Sequence, residues 1–179
     1  SYDTICHEHL EYYSLKSLKY LLTKAGLKII NLSFNQINGG SIEVDVVKKS
    51  SKYKECKDLI NWVLESEYVN QYNEIKKHKS FYNECLNHKK LLKKLLITLK
   101  KQNKKVVGYG ASTKGNVLLQ FCGINSKIIN NIAEVNKYKF NRYTPGSKIK
   151  IVSEKNVKLK KPDYMLVLPW HFKDYIVKR

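Results

Sequence analysis

Lys105-Val106-Val107-Gly108-Tyr109-Gly110-Ala111-Ser112-Thr113-Lys114-Gly115-Asn116 is the stretch that decides the fold. Lys105 to Gly110 reads as a short buried strand running into glycines. Ala111 to Leu119 then opens a helix. Two further apolar runs follow, Ile128 to Glu134 and Tyr164 to Leu168. The last is continuous enough for a parallel strand buried on both faces. Strands alternating with helices imply a doubly wound, Rossmann-like parallel domain over residues 105–179. Gly108 and Gly110 permit a tight turn and close backbone approach. The helix start beyond them offers unpaired N–H groups and a positive dipole end, and Lys114 adds a full charge. The spacing is not the dinucleotide pattern, because Gly115 comes too late. Nor is it a P-loop, because Lys114 precedes its glycine. Two readings stay open: anion or nucleotide binding at the helix start, and glycines that only let helix and strand pack closely.

Other residues of this domain carry candidate ligand contacts. Glu134 ends the second run, where a Rossmann acid meets ribose hydroxyls. Arg142 sits beside Tyr143 in the turn Asn141-Arg142-Tyr143-Thr144-Pro145-Gly146 and could grip a phosphate with two parallel hydrogen bonds. A plain solvated turn fits as well. Trp170, in Leu168-Pro169-Trp170-His171-Phe172, follows the third run, where open α/β sheets bind ligands. It also suits a core position.

Upstream, Leu15, Leu18, Leu21, Leu22 and Ala25 make one apolar face of a helix over 14–26. Ser14 can cap it, and Gly26 can end it with left-handed backbone. A strand from Lys28 to Phe34, a turn at Asn38-Gly39-Gly40 and an alternating strand from Ser41 to Val47 follow. Helix plus antiparallel pair resembles the closing elements of a larger α/β sheet. Residues 53–102 contain neither Pro nor Gly and carry two apolar helical faces, so two helices broken near His78 to Ser80 are expected. The expected organisation is therefore residues 1–50 as the end of a sheet, 51–104 as a stiff helical connector, and 105–179 as the Rossmann-like domain. The chain starts at Ser1 and stops after Val177-Lys178-Arg179, so a piece of a longer protein is expected.

The net charge is +19, which invites a polyanion. Yet Arg142 and Arg179 are the only arginines, and phosphate and base recognition favour arginine's planar fork. The expectation is no nucleic-acid partner; attraction of a phosphorylated small substrate is the milder use of the charge. No apolar run approaches the roughly 20 residues that span a bilayer. Cys6, Cys56, Cys85 and Cys122 form no CxxC pair, which suits a reducing, cytoplasmic setting. The oligomeric state stays open.

Near the start stands Thr4-Ile5-Cys6-His7-Glu8-His9-Leu10. In an extended segment His7 and His9 would point one way and Cys6 and Glu8 the other. Zinc needs at least three protein ligands, and no third is spaced to join two histidines, so no metal site is expected. A histidine beside a carboxylate also makes a general base near neutral pH. Polar surface histidines are the remaining reading.

Taken in order, Asp3-Thr4-Ile5-Cys6-His7-Glu8-His9-Leu10, Tyr12-Tyr13-Ser14, Asn38-Gly39-Gly40-Ser41, Val107-Gly108-Tyr109-Gly110-Ala111, Lys114-Gly115-Asn116, Tyr143-Thr144-Pro145-Gly146 and Leu168-Pro169-Trp170 resemble the second half of the sugar C-methyltransferases that use S-adenosylmethionine. The resemblance implies the end of a class I methyltransferase sheet followed by a Rossmann-like domain that helps hold a nucleotide-sugar. It implies methylation of a ring carbon in a nucleotide-linked 4-keto-deoxysugar, through base-catalysed enolate formation. It makes His9 the base, with His7, Glu8 and Cys6 orienting it or the sugar. Tyr12, Asn38, Gly108, Gly110, Lys114, Gly115, Asn116, Glu134, Arg142, Tyr143 and Trp170 become substrate-binding candidates. Many members have Tyr where this chain has Cys6. The family's S-adenosylmethionine loop and its N-terminal zinc-binding cysteines are not among these residues, so the chain is expected to be inactive alone. Two other readings compete: a non-catalytic nucleotide-sugar binding module, and a basic nucleic-acid binder whose lysines would cluster on one face.

Overall fold

A computed structural model of the chain describes residues 2–37 and 40–178. The candidate Asn38, and with it the Asn38-Gly39 part of the expected turn, lies outside the described residues. The chain divides into two compact units: Leu10–Asn83, and the N-terminal stretch through His9 together with the chain from Glu84 onward.

In the first unit, α1 spans Leu15–Lys24. Ser14 caps it by accepting the N–H of Ser17, and Gly26 follows with φ +72°. The buried carboxylate of Glu67 accepts the N–H groups of Leu15 and Lys16. The first three orphan donors of the helix are thus all met. β1, Leu27–Asn35, pairs antiparallel with β2, Ser41–Lys48. Their register slips between Ile29 and Asn31, so Ile30 is a bulge residue. α2 spans Lys57–Val69. Leu15, Ile29, Leu32, Ile60 and Val63 close the core between these elements.

The helical stretch breaks at Asn70 to Glu74, not at His78 to Ser80. Gln71 takes φ +57°, its N–H bonds Tyr68 O, and the N–H of Tyr72 bonds Glu67 O. This is a Schellman stop with glutamine at the left-handed position. α3 then runs Ile75–Lys101.

The second unit is a four-stranded parallel sheet in the order β5-β4-β3-β6. Its strands are β3, Val106–Tyr109; β4, Asn131–Glu134; β5, Lys150–Ser153; and β6, Tyr164–Val167. The chain leaves β3 through α4, Thr113–Cys122, to β4 and β5, passes through α5, Glu154–Leu159, and returns to β6 on the other side. The strand order therefore reverses between β3 and β6, which makes the Rossmann-like switch point. α6, Lys173–Val177, ends the described chain. Leu119, Cys122, Ile124, Ile129, Ile132, Ile149 and Leu168 form the core, with Leu92 and Leu96 of α3 against it.

β5 has no counterpart in the sequence reading, and β4 starts three residues later than the apolar run suggests. β6 is an edge strand, and Tyr164 is half exposed rather than buried on both faces. The apolar run signalled a strand but not its place in the sheet.

Candidate functional site

The glycine turn after β3 is built around close packing. A Cβ on Gly108 would lie 2.8 Å from Ile132 Cγ1. One on Gly110 would lie 2.6 Å from Pro169 Cδ, and one on Gly115 would lie 2.8 Å from Leu168 Cβ. The space of all three missing side chains is filled by protein. Gly110 also takes φ +83°, open to few other residues. Ser112 caps α4, its Oγ accepting the N–H of Gly115.

Glu134 binds this turn to the end of β4. Its Oε2 accepts the N–H of Ala111 at 2.9 Å and lies 3.6 Å from Lys139 Nζ. Its Oε1 accepts the N–H groups of Val135 and Asn136. A carboxylate has about four lone-pair directions; three N–H groups bond this one, and Lys139 stands at ion-pair distance. Lys139 also donates to Ala111 O at 2.8 Å. At the C-terminal ends of the strands, a crevice of about 270 Å³ is lined by Tyr109, Gly110, Glu134, Lys139, Pro169 and Tyr175.

Lys114 and Trp170 belong to one polar cluster, joined through His171. Lys114 Nζ lies 2.9 Å from His171 Nε2. An ammonium only donates, so Nε2 carries the ring's lone pair and Nδ1 its proton. Burial first, and then Lys114, holds the His171 pKa below its ordinary value, while Asp3 opposes them. Trp170 Nε1 donates to Asp3 Oδ2 at 2.9 Å, and the Trp170 and His171 rings meet edge to face. Asp3 is only 5% exposed. Asp3 Oδ1, Asn116 Oδ1 and His171 Nδ1 are the buried side-chain polar atoms without a hydrogen-bond partner among the described residues. Asp3 and His171 were not singled out by the sequence. The signal available was their place: one at the head of the His-Glu-His segment, one at a strand end.

Tyr2–Thr4 form one 3-10 turn. Tyr2 fastens it, its hydroxyl 2.8 Å from His88 Nδ1 and its ring 5.1 Å from that of Phe121. The next residues are not extended. The N–H of His9 bonds Cys6 O at 3.0 Å, which closes a second turn. The two-sided split of His7 and His9 against Cys6 and Glu8 therefore does not occur. Cys6 is half-buried, and His7, Glu8 and His9 are exposed. His9 Nδ1 lies 2.7 Å from Thr4 O. A carbonyl only accepts, so Nδ1 carries the proton and the neutral ring holds its lone pair at Nε2.

The remaining candidates belong to none of these clusters. Arg142 and Tyr143 are exposed between β4 and β5, where Tyr143 makes an isolated bridge to Lys150. Tyr12 belongs to the first unit. There it lines a cleft of about 600 Å³ with Tyr13, Phe34, Trp62, Tyr72 and Phe81, which the sequence reading did not foresee. Among the described residues no three His, Cys, Asp or Glu side chains converge as metal ligands.

Residues 36–179 match the family model described as the C-methyltransferase C-terminal domain. The chain belongs to this family. It is 30% identical over 176 residues to the C-methyltransferase NovU of Streptomyces niveus, covering 98% of this chain and 42% of that relative. The chain thus spans less than half the length of the curated relative it matches. Its residues do not by themselves fit the cofactors expected from the resemblance. The strand-end acid expected to meet a ribose of the substrate is Glu134, which accepts the N–H groups of Ala111, Val135 and Asn136. Metal ligands for zinc do not converge among the described residues. No described helix is long and apolar enough to cross a membrane.

Proposed function

We propose that this chain is the part of an S-adenosylmethionine-dependent sugar C-methyltransferase that carries the catalytic base and the nucleotide-sugar-binding domain. The substrate is a nucleotide-linked 4-keto-deoxysugar. Family membership supports the reaction class. The hydrogen bond between His9 Nδ1 and Thr4 O carries the mechanism, because it leaves the basic lone pair at Nε2.

His9 Nε2 takes a proton from the ring carbon next to the ketone. The electron pair of the broken C–H bond moves toward the carbonyl oxygen and gives an enolate. The protonated ring keeps its Nδ1–H bond to Thr4 O, which stabilises the positive charge. General-base assistance of this kind contributes roughly 10²–10⁴-fold. The methyl group comes from S-adenosylmethionine held outside the residues described here. His7, Glu8 and Cys6 share the turn with His9 and orient it or the sugar. A thiol at position 6 is smaller than a tyrosine and a weaker donor, so Cys6 leaves more room on that side of the sugar.

The nucleotide end of the substrate is assigned to the second unit. α4 presents its N-terminus there, with Lys114 and Asn116 in its first turn. Arg142 and Tyr143 offer a guanidinium and a ring, and Trp170 a ring. Gly108, Gly110, Gly115 and Glu134 act by holding the turn in shape. The four cysteines are free thiols, which suits a reducing, cytoplasmic enzyme. Removing the ketone's neighbouring proton needs no methyl donor. The test is therefore titration of this chain with a nucleoside diphosphate-linked 4-keto-deoxysugar in D₂O. Binding with deuterium uptake next to the ketone supports the enzyme. Binding without uptake is the result of a non-catalytic module.

A further inference from the structure

We propose that Asp3 is a positioning residue for His9, so that Trp170, in the loop after β6, sets the aim of the base. This rests on the reading of His9 as the base.

The connection is short and continuous. Trp170 Nε1 donates to Asp3 Oδ2 at 2.9 Å. Asp3 precedes Thr4 in a single 3-10 turn, which the bond from Ile5 N–H to Tyr2 O closes. The carbonyl of Thr4 receives the proton-bearing Nδ1 of His9 at 2.7 Å. The direction of that carbonyl follows from the backbone of the turn, and the turn is held by its side chains. Residues 7–9 are exposed. Tyr2 and Asp3 anchor the turn that carries the Thr4 carbonyl.

Asp3 is a costly way to make a merely structural anchor. Its Oδ1 is buried without a hydrogen-bond partner among the described residues. An unsatisfied buried polar atom destabilises the fold, and more so when charged. An apolar residue would fill the site without that cost. What a carboxylate adds is direction: it fixes the indole N–H and, one residue on, the Thr4 carbonyl. Misplacing a reacting group by about 1 Å can cost about 10²-fold in rate.

The experiment compares deuterium uptake, affinity for the nucleotide-linked 4-keto-deoxysugar and ¹⁵N NMR of the His9 ring in the intact chain. Asp3→Ala is expected to slow uptake by at least tenfold at saturating ligand, with affinity changed less than twofold. The His9 nitrogen shifts should move from the Nδ1–H form toward a mixture. Asp3→Asn keeps an acceptor for Trp170 and should restore most of the uptake. Trp170→Phe removes the indole donor but keeps a ring beside His171, and should mix the His9 tautomers in the ligand-free protein. If Asp3→Ala does not fold, the spectrum of Trp170→Phe decides alone. Wild-type tautomer and uptake in Asp3→Ala, or a wild-type spectrum in Trp170→Phe, overturns the positioning role. Undiminished uptake in His9→Asn instead overturns the base itself, a separate result.

Discussion

Lys114 Nζ sits 2.9 Å from His171 Nε2, a cation donating to an imidazole that must stay neutral to accept it. Burial and Lys114 both keep the His171 pKa depressed in the folded chain. Below about pH 6.5 the unfolded chain binds a proton here that the folded chain does not. Stability from this site is therefore complete above that pH and falls as pH drops toward the folded value. Urea titrations of the wild type and of His171→Gln should show a shallower loss of stability in the variant as pH is lowered below 6.5.

Lys114 is also the fixed charge at the start of α4. Lys114→Ala should weaken binding of a nucleoside diphosphate by roughly tenfold, the scale of one charge-assisted hydrogen bond. Calorimetric titration measures this. Circular dichroism should show the same fold.

Gly110 combines φ +83° with Pro169 at 2.6 Å from the place of a Cβ. Gly110→Ala should lose stability through both backbone strain and overlap, each about 1–3 kcal/mol. Denaturant unfolding checks the loss. Gly26→Ala meets nothing within 4 Å, so it should suffer the strain alone.

Glu67 closes the start of α1 from more than fifty residues away. Glu67→Ala leaves the N–H groups of Leu15 and Lys16 without these partners and should cost about 1–3 kcal/mol. Hydrogen exchange should speed up at those two amides, and at most other amides of the first unit should change less.

What the sequence showed and what it hid follow from the range of the forces involved. Ser14, Gly26 and the alternation from Ser41 to Val47 act through near neighbours, so α1, β1 and β2 were legible. So were the glycine turn, α4 and the parallel sheet. The stop at Gln71 was not, because glutamine rarely takes left-handed backbone and nothing local marks it. β5 did not signal itself, because only Ile151 and Val152 are apolar between Lys150 and Ser153, and the edge position of β6 depends on strand order. The same limit holds for the site. The His-Glu-His run stood out, but its turn comes from bonds between residues 2, 5, 6 and 9. Glu134 stood out as a strand-end acid, but its bonds to the N–H groups of Ala111, Val135 and Asn136 appear only in the fold. Asp3 and Trp170 are 167 residues apart in sequence, and only folding joins them.

The most direct test of the central claim is deuterium uptake at the carbon beside the ketone, measured by NMR in D₂O with this chain and its His9→Asn variant. The ligand is the nucleoside diphosphate-linked 4-keto-deoxysugar at a saturating concentration. The account predicts uptake with the wild type, and a loss of roughly 10²–10⁴-fold with His9→Asn while affinity for the ligand is kept. Equal uptake by the two proteins would contradict it.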